Sequence, residues 1–117
     1  MLKEEFLKRT MRFGLRVIRV VESLPENQVA TVLGNQLLRA GTSVGANYRA
    51  AVRGKSRADF ISKMGNVEEE RDEALYWMEM LIEPGSVRPK LLKALMSEGS
   101  EILAIVVASI KTARRNK

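Results

Sequence analysis

The chain has 117 residues, 20 Lys and Arg against 14 Asp and Glu, and neither Cys nor His. The two zeros exclude disulfides, thiolate zinc sites and iron–sulfur clusters, together with imidazole bases, Ser-His-Asp triads and His-ligated metals. With 45% hydrophobic but only 5% aromatic residues, the length predicts one domain over 1–117 whose core is Leu, Val, Ile, Ala and Met.

No apolar run reaches the roughly 18–20 residues of a membrane span. The longest, Ile102 to Ile110, falls well short, so no membrane partner is expected. The N-terminal stretch MLKEEFLKRT carries acids and lacks a continuous apolar core. It therefore does not read as a signal peptide, and a cytoplasmic protein is the expectation.

The first predicted helix covers about 4–23. Phe6, Thr10, Phe13, Val17, Val20 and Leu24 recur in steps of four and three, which places them on one face. Pro25 disfavours helix in the residue before it and ends the segment. Arg9, Arg12, Arg16 and Arg19 follow the same spacing and form a basic ridge beside that face.

The second predicted helix covers about 27–53, with Leu33, Leu37, Ala40, Val44, Tyr48 and Ala51 as its stripe. The run Gly41-Thr42-Ser43-Val44-Gly45-Ala46-Asn47 lies in its middle. No strand precedes these glycines and no Gly-Lys-Ser/Thr follows, so they read as a close helix contact rather than a phosphate cradle. Arg49 and Arg53 lead with Arg57 into a second basic ridge around the next turn.

Gly54-Lys55-Ser56 supplies a stop and a start, and Ser56 with Asp59 has the spacing of a capping box. The third predicted helix, about 56–83, buries Phe60, Met64, Val67, Ala74, Met78 and Leu81. Its acidic run Glu68, Glu69, Glu70, Asp72 and Glu73 falls mostly opposite that stripe. A di-metal bundle uses Glu-x-x-His pairs, so neither a metal nor a cofactor is expected. Arg71 lies in the middle of the apolar stripe, where an unpaired guanidinium is costly. A carboxylate from another helix or subunit must reach it, or the helix end must be exposed there. Glu70 and Glu73 face a neighbouring helix, with Arg39 and Asn47 as candidate partners; the five residues read as a structural polar cluster, not a catalytic one.

Pro84-Gly85-Ser86 is the strongest turn signal. The fourth predicted helix, about 87–114, carries Leu95, Ile102, Val106 and Ile110, and Gly99 leaves open a break near Ser97–Ser100. The chain ends on Lys111, Arg114, Arg115 and Lys117. Four helices with short turns predict an all-α, antiparallel up-and-down four-helix bundle.

The net charge of +6 is uneven. Residues 1–53 hold nine basic and four acidic side chains, residues 54–87 four and eight, and residues 88–117 seven and two. Arginine's planar fork suits phosphate. Arg9, Arg12, Arg16, Arg19, Arg49, Arg53, Arg114 and Arg115 are therefore the candidates for contacts to an RNA or DNA backbone. No base-reading motif accompanies them. The competing expectation is a protein-interaction module whose basic faces meet a partner. An enzyme is not expected.

The string from Gln36 to Arg49, with Lys55-Ser56, Asp59-Phe60-Ile61-Ser62-Lys63 and Tyr76-Trp77-Met78, resembles a bacterial four-helix-bundle family. That family is related to proteins encoded in intervening sequences of large-subunit ribosomal RNA genes. The similarity covers nearly the whole chain, is densest over 36–82, and is most specific from Arg39 to Asn47. Glu70, Glu73 and the Tyr76-Trp77 pair match family positions, while Arg71 departs from a usual Ala. The resemblance implies a ring-like homo-oligomer, commonly a pentamer, without established enzymatic activity. It extends more distantly to basic accessory proteins of diversity-generating retroelements, which implies nucleic acid and a reverse transcriptase as further partners. In a ring, the acidic third helix of one subunit would face basic helix one or four of the next.

Overall fold

The computed structural model describes residues 2–116. Four helices form in order: α1 (Lys3–Glu22), α2 (Gln28–Val52), α3 (Arg57–Ile82) and α4 (Pro89–Arg115). Each boundary lies within two residues of the sequence expectation, because each break has a local cause. The Asn27 side chain accepts a hydrogen bond from the Ala30 amide at 2.9 Å and caps α2. Ser56 caps α3 by accepting from the Asp59 amide at 3.0 Å, and Asp59 reaches back to the Lys55 amide at 3.0 Å. The box closes one residue earlier than the usual reciprocal form. Pro89 opens α4 at a position where no intrahelical donor is lost. Gly85 adopts a φ of 81°, the left-handed turn that the third connection needs.

The helices pack in chain order, α1 on α2, α2 on α3, α3 on α4, with α4 returning to α1. That is an antiparallel up-and-down four-helix bundle, 50 Å long and about 20 Å across. The α2–α3 seam is the most extensive and the α4–α1 seam the thinnest. The core takes Phe6, Phe13 and Val17 from α1, Leu37 and Val44 from α2, Met64, Val67, Met78 and Leu81 from α3, and Leu92, Ile102 and Val106 from α4. Phe6 meets Tyr48 edge to face at 4.6 Å between ring centres. Thr10 is buried in this core without penalty because its hydroxyl donates to the Phe6 carbonyl at 3.0 Å.

Two groups of small residues follow the seams. A Cβ at Gly41 would lie 2.6–2.9 Å from the Val17 side chain, and one at Gly45 would lie 3.3 Å from the Thr10 carbonyl oxygen. The run 41–47 is therefore where α1 and α2 come closest. The break left open near Gly99 does not occur, and α4 is continuous. Gly99 is buried against α3, where a Cβ would meet Leu75 at 2.5 Å. It is a contact glycine, not a hinge.

Candidate functional site

The eight candidate arginines fall into different circumstances. Arg9 is engaged. Its Nε donates to Glu98 Oε2 at 2.6 Å, its Nη2 donates to Glu98 Oε1 at 2.7 Å, and Glu101 lies 3.2 Å from Nη2. This fork-on-carboxylate contact joins α1 to α4, and the hydrogen bond to Glu98 holds the Arg9 guanidinium above its ordinary pKa. Its charge is already answered within the chain.

Among the described residues, no ion pair engages Arg12, Arg16, Arg19, Arg49, Arg53, Arg114 or Arg115. Arg12 and Arg16 line a polar groove of about 620 Å³ over the α1–α4 seam, with Lys8, Glu5 and Glu98. Arg19 is exposed in the last turn of α1. The antiparallel order brings the start of α1, the end of α2, the start of α3 and the end of α4 to one end of the bundle. Arg49, Arg53, Arg57, Arg114 and Arg115 all gather towards that end, with Lys55 in its loop, and every one of them is exposed. The basic excess, split along the sequence, is thus concentrated at one end of the molecule. Asp59 at the same end is committed locally: the Lys63 ammonium, then the Lys55 amide, hold its carboxyl below its usual range.

The polar cluster is assembled in part. Arg39 bridges two acids of α3, at 3.0 Å to Glu70 and 2.7 Å to Glu73. Asn47 does not take part. It lies about two turns further along α2, and its Nδ2 donates to the Ser43 carbonyl at 2.9 Å. Arg71 stands apart from the cluster. It is buried, and among the described residues no carboxylate from another helix reaches it and its Nε and Nη1 lack a hydrogen-bond partner. The nearest acid is its own neighbour Asp72, at 3.2 Å from Nη1. The reason lies in the supply of acids. α2 contains none, those of α1 stand near its ends, and Glu98 and Glu101 of α4 are held by Arg9.

One feature escaped the sequence reading. Between the outer faces of α1 and α2 runs a groove of about 500 Å³. Its floor is Gly14, Thr42, Gly45 and Ala46, its apolar wall is Leu7, Met11, Leu15 and Ile18, and its cations are Lys8, Arg49 and Arg53. Met11 is 67% exposed and Leu15 46%. The signal was present: residues 7, 11, 15 and 18 form a second apolar stripe in steps of four, four and three, offset from the core stripe.

Residues 3–108 match the family described as 23S rRNA-intervening sequence protein. The chain belongs to that family. A solved structure from Bacteroides thetaiotaomicron, a protein of unknown function from the S23 ribosomal protein family, superposes with a TM-score of 0.84 at 32% identity. The match covers 90% of this chain and 97% of that one. No protein with a curated description matches the chain. Among the described residues, no helix is long and apolar enough to cross a membrane.

Proposed function

We propose that this member of the 23S rRNA-intervening sequence family is a non-enzymatic scaffold that forms a ring-like homo-oligomer and holds RNA or DNA through its phosphates. The gathering of unpaired, exposed arginines at one end of the bundle carries the nucleic-acid part of this reading. Phosphate contact needs charge that is not already answered, and Arg114 and Arg115 have it whereas Arg9 does not. Arg12, Arg16 and Arg19 extend the surface along α1. The family's name favours RNA as the first ligand to test. Filter binding with an rRNA fragment over a salt series tests the reading. Affinity is expected to fall with a log–log slope of about −0.7 to −0.9 per phosphate contacted. The double variant Arg114→Glu/Arg115→Glu is expected to lose binding and flatten that slope. Undiminished affinity in it would remove the basic end from consideration.

A further inference from the structure

The groove between α1 and α2 has a mate elsewhere on the same chain. The outer face of α3 exposes Tyr76 by 52% and Met80 by 37%. Acids surround them: Glu69, Asp72 and Glu79 are exposed on that face. From Glu68 to Glu83 the only cation is Arg71, and it is buried. The groove is the converse, an apolar trough with Lys8, Arg49 and Arg53 at its edge and no acid among its lining residues. Lengths also agree. Residues 7–18 and residues 69–80 each rise about 16 Å at 1.5 Å per residue.

We propose that the α1–α2 groove of one protomer receives the outer face of α3 from a second copy, with Tyr76 and Met80 against Met11 and Leu15. This rests on the homo-oligomer reading above and names the surfaces that make it. The outer face of α3 points away from its own bundle, so it cannot fill its own groove. Groove against groove would bring Lys8, Arg49 and Arg53 of both copies into one interface with no acid among the lining residues to answer them, which disfavours it. Tyr76 is suited to anchor the contact, because its ring is braced edge to face on Trp77 at 5.0 Å. The two surfaces differ, so the contact is head to tail. Every added copy brings one groove and one ridge, and growth stops only when the rotation closes a ring.

Two variants of the full chain test this by size-exclusion chromatography with light scattering. Leu15→Glu spoils the groove alone, and Tyr76→Glu spoils the ridge alone; both positions are exposed. The wild type is expected to run as a closed oligomer and each variant as a monomer. An equimolar mixture should give a one-to-one dimer and nothing larger, since only one sound groove and one sound ridge remain to meet. Should Leu15→Glu fail to fold by circular dichroism, Arg49→Glu/Arg53→Glu probes the same groove from its charged edge and should also be monomeric. If both variants keep the wild-type mass, the assignment of surfaces falls and the homo-oligomer reading stands. If only Leu15→Glu dissociates, the contact is groove to groove and the proposal is overturned. A Leu15→Glu variant that stays assembled but loses RNA would make nucleic acid the occupant, which also overturns it. A monomeric wild type removes both readings together.

Discussion

Helix α1 is held on its two sides by different physics. Against α2 it packs through small residues, Gly14 opposite Thr42, Gly41 against Val17 and Gly45 against the Thr10 carbonyl. Against α4 it makes the thinnest seam of the bundle, and the Arg9–Glu98–Glu101 ion cluster spans it. The first side is fixed by shape and indifferent to salt. The second is fixed by charge on partly exposed groups, with Arg9 at 22% and Glu98 at 16% side-chain exposure. One helix thus shows that a seam without much backbone contact can be closed by a well-formed fork, and that a close seam needs none.

The sharpest way to break the comparison is Gly41→Leu. The added side chain meets three Val17 carbons already within 2.6–2.9 Å of a Cβ, so α1 must move off α2. A loss of about 1–3 kcal/mol is expected, independent of salt, in urea unfolding. Glu98→Ala acts on the other side and leaves Arg9 with Glu101 alone. It should cost about 1–2 kcal/mol at low salt, and the difference from wild type should shrink as salt rises.

Alkali gives a third contrast. Burial raises the Tyr48 pKa, so the folded state favours the neutral phenol. That stability is full below pH 10, the ordinary tyrosine value, and is lost as pH rises through the folded value, with a slope of at most about 1.4 kcal/mol per pH unit. Tyr48→Phe should remove this part of the alkaline loss, seen as a shallower fall in melting temperature above pH 10 than in wild type. The smallest effect serves as the control. A Cβ at Gly65 meets nothing within 4 Å. Gly65→Ala should therefore gain stability, by up to about 1 kcal/mol of helix propensity. The same glycine-to-larger change thus has opposite signs on the packed and the open face.

The helices and their ends were legible because their causes are local. Pro25, the Ser56–Asp59 box and the Pro84-Gly85 turn act on residues a few positions away. What the sequence obscured depends on partners far along the chain. Arg9 reads as one arginine of a ridge until Glu98 is brought to it, 89 residues away. Gly99 reads as a weak point until Leu75 is seen to occupy the space above it. Arg39 and its two acids followed from facing positions on adjacent helices, whereas Asn47, equally polar, is two turns too far along α2. The groove was hidden for another reason. Its apolar stripe on α1 is real, but a single helix cannot tell which of two stripes its neighbours will cover.

The Arg9–Glu98 pair has a consequence for the order of events in folding. Contacts of α1 with α2, α2 with α3 and α3 with α4 join consecutive helices through short connections. The α4–α1 seam must close nearly the whole chain on itself. Loop-closure entropy sets such a step late, after local pairs have formed. Interactions made after the transition state govern the rate of leaving the native state more than the rate of reaching it. Glu98→Ala should accordingly steepen unfolding and leave refolding almost unchanged, so the ion cluster acts as the latch that sets the lifetime of the closed bundle.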